Sequence, residues 1–180
     1  TQSNLKVSKY RNVDNIPTGL SNTAWDNTTD GSYAIYNNDP VNDGLYGKLY
    51  NHYAVTDSRG LCPTGWHVPS DVEWTILENH LGGSNVAGGA LKSTLTQPTL
   101  RGWASPNTGA TNSSRFDAFP GGRAHNDGNT YAITTQGYWW SSTMPSANTA
   151  WYRGLNHSSN LISKFDILQT YGFSVRCIKD

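Results

Sequence analysis

The residues with chemistry to offer in this chain are two cysteines, five histidines and a set of aspartates in polar loops. His52, His67, His80, His125 and His157 fall in neither an H-E-x-x-H nor an H-x-H pattern, so a zinc site has no support. His67, between Trp66 and Val68, reads as a hydrogen-bonded structural imidazole. No G-x-S-x-G elbow, G-x-G-x-x-G turn or phosphate-binding loop is present, so no familiar catalytic motif offers itself. Asp26, Asp30, Asp39 and Asp43 are hard oxygen donors of the kind that hold Ca²⁺. The run Asp26-Asn27-Thr28-Thr29-Asp30-Gly31 lacks the spacing of an EF-hand, however, and Asx turns account for these aspartates without a metal. No metal and no cofactor are expected. Cys62 and Cys177 stand apart by most of the chain, which excludes a zinc knuckle or a C-x-x-C redox pair. If paired, they close a loop worth about 4 to 5 kcal/mol in the chain-entropy model and place the protein outside the cytoplasm. The alternative is two buried free thiols.

Composition narrows the partners. Lys and Arg number 13 and Asp and Glu 13, so no basic face awaits phosphates and nucleic acid is not an expected ligand. Charged residues are 14% of the chain, against roughly 25% in an average soluble domain, so Asn, Ser, Thr and Gly must supply the polar surface. Trp 7 and Tyr 10 outweigh Phe 4, which favours rings with a hydrogen-bonding edge. Most of these rings belong to a core. The 180 residues suit a single domain, 1–180. No apolar run approaches the roughly 20 residues needed to span a bilayer. Thr1-Gln2-Ser3-Asn4 does not read as a signal peptide, and the chain reads as part of something longer.

One segment predicts a helix plainly. Across 68–83, Ser70 and Glu73 form an S-x-x-E capping box, Asp71 suits the positive helix start and Gly82-Gly83 supplies the stop. Trp74, Leu77 and Leu81, with Ile76 beside them, make an apolar stripe that must lie on a core. A weaker helical turn is expected over 87–95, where Gly88-Gly89 counts against it. Aromatic or β-branched runs predict strands over 49–55, 138–142, 150–155 and 173–178, the last with Phe173, Val175 and Cys177 sharing a face opposite Ser174 and Arg176. Segments 21–32, 37–44 and 105–114 read as loops. Phe116 to Arg123, with its Pro120-Gly121-Gly122, reads as a sharp structural turn. Few helices, short strands and long irregular loops make an α+β domain.

Five strings occur together, in order: Tyr46-Gly47-Lys48-Leu49-Tyr50-Asn51, Gly60-Leu61-Cys62-Pro63-Thr64-Gly65-Trp66-His67-Val68-Pro69-Ser70, Phe119-Pro120-Gly121-Gly122, Tyr138-Trp139-Trp140-Ser141-Ser142-Thr143 and Gly172-Phe173-Ser174-Val175-Arg176-Cys177. They resemble the Fibrobacter succinogenes major paralogous domain over nearly the whole chain. The resemblance implies a bacterial surface or secreted protein, often a lipoprotein, with a C-type lectin-like fold related to the formylglycine-generating enzymes. It also implies that Cys62 pairs with Cys177. Those enzymes work through two active-site cysteines near the C-terminal part of the domain. Here neither Cys62 nor Cys177 has a neighbouring thiol in sequence, so a non-catalytic binding module is expected ahead of a divergent enzyme of that group.

The resemblance points further, to variable proteins diversified by retroelements that mutate template adenines. Such members carry variable positions between the tryptophan strand and the terminal Gly-Phe-Ser-Val-Arg-Cys. The matching positions here hold Tyr152, Gly154, Asn156, His157, Ser158, Leu161, Ser163, Phe165, Asp166, Ile167, Leu168 and Tyr171, each reachable from AAC or AAT codons by replacing adenine. Trp151, Arg153, Leu155, Lys164 and Gln169, interspersed among them, read as fixed scaffold. Phe165, Ile167 and Leu168 break a polar stretch without helix or strand period, the mark of a contact patch or of a satellite core. On a strand over 150–155, Trp151, Arg153 and Leu155 would face one side and Tyr152 and Gly154 the other. Aromatic anchors among these positions, with polar residues selecting the partner, favour a protein ligand. The competing expectation is carbohydrate, bound by aromatic stacking and amide hydrogen bonds in an adhesin.

Overall fold

Residues 3–180 are described by the structure, a computed structural model; Thr1 and Gln2, half of the opening tetrapeptide discussed above, lie outside them. The chain is mixed α and β with short elements, as an α+β domain requires. Helix α1 (Asn22–Asn27) starts where the Ser21 hydroxyl accepts from the Ala24 N–H at 3.3 Å. Strand β1 (Tyr33–Ala34) and a 3₁₀ turn (Tyr36–Asn38) follow, and helix α2 (Pro40–Tyr46) begins with Asp39 accepting from the Val41 N–H and proline at its first turn. Both helices lie in segments read as loops, although their caps are ordinary sequence signals. Asp39 is thus a helix cap, and Asp43 pairs with Lys48 at 2.6 Å.

The strand expected over 49–55 is cut short. Strand β2 (Leu49–Tyr50) gives way to helix α3 (His52–Val55) because Asn51 caps it: Asn51 Oδ1 accepts from the N–H groups of Ala54 and Ser32 at 3.0 and 2.9 Å. After β3 (Trp66–His67), helix α4 (Asp71–His80) carries the full capping box, and Gly82 and Gly83, at φ +95° and +92°, turn the chain away. Helix α5 (Ser84–Leu91) contains Gly88 and Gly89 for a reason of packing. A Cβ on Gly88 would sit 2.4 Å from the Leu161 carbonyl oxygen, and one on Gly89 2.3 Å from that of Gly109. The two glycines let the helix touch backbone, which outweighs their poor helix propensity.

The principal sheet comprises β4 (Gly121–Ala124), β5 (Thr130–Ile133), β6 (Gln136–Trp140), β7 (Thr149–Asn156) and β8 (Ile162–Leu168), in the order β5-β4-β6-β7-β8, with only β4 and β6 parallel. The expected strand over 173–178 contributes isolated bridges, Tyr50 with Phe173 and Trp139 with Ser174, before β9 (Ile178–Lys179) pairs with β3.

Both faces of the sheet are covered, as the run Tyr138-Trp139-Trp140 demands. Tyr138 and Trp140 enter one core with Tyr50, Phe173, Val175 and the disulfide; Trp139 enters the other with Trp74 and Leu91 from the helices and Trp103. Phe173, Val175 and Cys177 share the first core, as their alternation implies. Cys62 and Cys177 are bonded to each other, buried, and close 115 residues of chain. No helix among the described residues is long and apolar enough to cross a membrane.

Candidate functional site

Strand β8 is a sheet edge, and register decides what it presents. Antiparallel pairing sets Ser163 opposite Gly154, Phe165 opposite Tyr152 and Ile167 opposite Ala150, all on one face. Lys164, Asp166 and Leu168 lie on the other face opposite Arg153, Trp151 and Thr149. The apparent lack of period over 162–168 is therefore a strand with apolar side chains on both faces. Phe165 and Leu168 are 60% and 46% exposed, whereas Ile167 is half-buried against the first core.

At the turn end of β7 and β8 a cleft of about 380 Å³ opens. Tyr152, Gly154, Asn156, Ser158, Leu161, Ser163 and Phe165 line it. Gln136, Tyr138, Leu155 and Ser159 complete the lining. His157, Asp166, Ile167, Leu168 and Tyr171 do not line it. His157 leaves the sheet and places Nδ1 2.9 Å from the Ser105 carbonyl. Asp166 and Leu168 face the opposite side, and Tyr171 is half-buried with its hydroxyl 2.7 Å from His125 Nε2.

The cleft has an aromatic floor. Tyr138 stacks on Phe173 at 5.0 Å, and Tyr152 packs edge-on against Tyr138 at 5.8 Å. Arg123 Nη1 donates to the Tyr138 hydroxyl at 2.6 Å, and that hydroxyl donates to Gln136 Oε1. Burial raises the phenol pKa values of Tyr138 and Tyr152, and also that of Tyr171 nearby. All three stay protonated at neutral pH and serve as hydrogen-bonding anchors rather than as bases. Gly154 keeps the cleft open where its neighbours close in: a Cβ there would meet Ser163 Oγ at 2.6 Å.

The interspersed residues are tied to the scaffold. The guanidinium of Arg153, with no exposed side-chain area, pairs with Glu78 through Nε and with Asp71 through Nη1 at 2.9 Å. Burial raises the Asp71 carboxyl and is outweighed by Lys164 and Arg153, leaving its pKa below the ordinary value. Lys164 reaches Asp71 at 2.7 Å and lies over the Trp151 ring. Leu155 is buried in the second core, though it also touches the cleft, and Gln169 donates to the Ala147 carbonyl at 2.7 Å. Beneath the cleft rim, the fully buried Lys92 donates to the carbonyls of Thr108, Asn156 and Ser159 at 2.8, 3.1 and 2.8 Å, and burial lowers its pKa to about 8.

Gln136, Tyr138 and Ser159 escaped the sequence reading as cleft residues. Only the β6–β7 pairing, Gln136 with Asn156 and Tyr138 with Gly154, brings the first two to the site, and no local spacing announces that register. Among the described residues no group of three or more His, Cys, Asp or Glu side chains is placed to hold a metal ion.

The fold and the cleft define an α+β domain whose edge hairpin presents an aromatic-floored surface on a doubly covered sheet. The chain belongs to the Fibrobacter succinogenes major domain family, whose family model matches residues 1–179. Neither the curated proteins nor the solved structures yield a significant match.

Proposed function

We propose that this domain is a non-catalytic, extracytoplasmic binding module that engages a protein partner through the cleft and exposed face of β7 and β8, and that this surface is diversified by a retroelement. One division of the segment carries the reading: seven of the twelve adenine-reachable residues, Tyr152, Ser163 and Phe165 among them, line the cleft, while Lys164 and Gln169, which AAC and AAT codons cannot yield, bond to the scaffold. Exposed members such as Phe165 can change with little cost to folding, which a variable binding surface needs, whereas Tyr152 also packs on the core. Tyr152 and Phe165 supply the ring area that anchors protein interfaces, and Asn156, Ser158 and Ser163 supply adaptable polar contacts. The buried disulfide is compatible with an oxidising compartment. Both sulfurs are committed to that bond, which weighs against chemistry of the formylglycine-generating type.

The test is a library in which the twelve adenine-reachable positions carry adenine-mutagenised AAC or AAT codons. Members that keep Tyr152, Gly154, Ile167 and Tyr171 should melt within a few degrees of the parent, and selection against folded proteins should yield binders whose substitutions cluster in the cleft. Failure of most such members to fold would overturn the reading. Flanking DNA holding a near-copy of the segment that differs only at adenines, beside a reverse transcriptase gene, is the expected genomic signature; the diversification proposal falls if none is found.

A further inference from the structure

Strand β8 ends the principal sheet, and the direction of its backbone groups follows from its neighbours. Ser141 N donates to the Trp151 carbonyl at 2.9 Å and His157 N to that of Thr135 at 2.9 Å, so the odd-numbered residues of β7 bond toward β6. Ala150, Tyr152 and Gly154 therefore bond toward β8, where they oppose Ile167, Phe165 and Ser163. Gln169 N, which donates to the Asn148 carbonyl at 3.2 Å, keeps the same alternation at the far end. The N–H and C=O groups of Lys164 and Asp166 consequently point off the sheet, and no turn, loop or helix among the described residues bonds to them. Helix α5 packs at the start of the strand, where Gly88 lies against the Leu161 carbonyl, and leaves Lys164, Phe165 and Asp166 exposed.

An open edge is a template for another strand. Lysine on an edge is a common deterrent to such pairing, but the Lys164 ammonium is drawn back over its own sheet, onto Asp71 at 2.7 Å and above the Trp151 ring at 4.5 Å. Asp166 lies on the same face, two residues on, with no ion-pair or hydrogen-bond partner among the described residues. Phe165, between the two charges, is 60% exposed on the other face.

These three residues complement a second set of themselves. Two copies of β8 running antiparallel about a twofold axis must set outward-pointing residues opposite outward-pointing ones. With the axis at Phe165, Lys164 of each copy stands opposite Asp166 of the other in hydrogen-bonded pairs. The two Phe165 rings then meet in a non-hydrogen-bonded pair, where side chains approach most closely. An axis at Lys164 sets lysine against lysine, one at Asp166 sets acid against acid, and one at Ser163 or Ile167 leaves both charges unmatched. We propose that this chain forms a twofold dimer by antiparallel pairing of β8 with β8 of a second copy, centred on Phe165. The two sheets become one, with both clefts open on the same face. A seven-residue edge is small beside the roughly 1,600 Å² of a standard interface, so the dimer is of the transient class and dilute protein is monomeric. The pairing does not rest on what the cleft recognises; it follows from the residues this chain carries at 164, 165 and 166.

Sedimentation velocity from micromolar to millimolar protein, with amide hydrogen exchange beside it, makes the test. The chain should pass from monomer to dimer and stop there. The Lys164 and Asp166 amides, which have no acceptor in the monomer, should exchange more slowly as the dimer fills. Asp166→Lys sets lysine against lysine and should weaken association about tenfold or more; Lys164→Glu sets acid against acid and should do the same. An equimolar mixture of the two variants should regain dimerisation as a mixed dimer, because each lysine then faces an acid. Melting curves confirm that both variants are folded, and Asp166→Lys, which loses no internal partner, keeps the test intact even where Lys164→Glu unsettles Asp71. Protein that stays monomeric throughout overturns the proposal. So does self-association that Asp166→Lys leaves unchanged, a mixture of folded variants that fails to pair, or growth beyond the dimer, which would point to β8 pairing with the β5 edge of the next copy. Binding of a protein in the cleft is read separately, by the library selection.

Discussion

Tyr152 and Phe165 face one another across β7 and β8 with ring centroids 6.4 Å apart, one settled against the core and the other 60% exposed. The pair marks where scaffold ends and surface begins. Phe165→Ala should change stability by no more than about 0.5 kcal/mol, as a surface substitution does. Ile167→Ala, two residues on, should cost about 1 to 2 kcal/mol because Ile167 packs on the first core. Urea midpoints at constant slope measure both; equal losses at the two positions would erase the distinction.

Arg153 makes a second test. Replacing it by Met leaves the Glu78 carboxylate, at 11% side-chain exposure, without its partner and Asp71, at 16%, with Lys164 alone. A loss of about 3 to 5 kcal/mol is expected, the cost of breaking a buried pair from one side. Lys164→Ala, removing the more exposed cation on Asp71, should cost under about 1 kcal/mol. Thermal unfolding of the two variants side by side decides the matter.

Gly88→Ala should reverse the usual helix rule. In an exposed helix the change gains about 1 kcal/mol. Here the new methyl meets the Leu161 carbonyl at 2.4 Å, a backbone atom that cannot swing aside. A net loss of about 1 to 3 kcal/mol is expected. A stabilised variant would mean that α5 can move off the β7–β8 turn.

Two histidines shape the pH dependence on either side of their ordinary value. His52 is fully buried with Nε2 3.0 Å from the Ser141 carbonyl, and burial lowers its pKa from 6.5 to about 4. Between those values the unfolded chain holds a proton that the folded chain refuses, so stability falls as pH drops from about 6.5 to 4, by about 3 kcal/mol. His67 moves the other way: bonds to Asp180 and then Glu73 raise its pKa, so its contribution is complete below 6.5 and fades as pH climbs through the raised value. Its imidazole is 42% exposed and its effect small. Urea midpoints across pH 4 to 8 should show the acid-side slope, and His52→Gln should flatten it.

Reduction of the disulfide should cost about 4 to 5 kcal/mol, since the bond closes a loop of 115 residues. Melting in the presence of a phosphine reductant, compared with a Cys62→Ala/Cys177→Ala variant, measures it. Matching curves with and without reductant would show that the folded state owes nothing to the link.

The sequence carried the local half of this structure. Ser70 and Glu73 mark α4 because a capping box is closed within one turn, and the Tyr138-Trp139-Trp140 run marks a strand that feeds both cores. Asn51 also caps within one turn, but its aromatic and β-branched neighbours read as a longer strand and hid α3. Strand β8 was illegible because Ile162 and Leu168 on one face and Phe165 and Ile167 on the other blur a period of two. The cleft was half visible for a related reason: its β7 and β8 residues lie close together in sequence, whereas Gln136 and Tyr138 arrive by strand register, which is settled only when the sheet assembles.

Lys92 sets the manner in which the cleft can be used. Its ammonium clasps Asn156 and Ser159 from below, and both residues stand at the rim. The hairpin mouth is thereby tethered before any visitor arrives, and little freedom is left to surrender on docking. If the surface is diversified as proposed, new side chains at the mouth inherit that stiffness, and one geometry would serve successive specificities with encounter rates that change little and residence times that change a great deal.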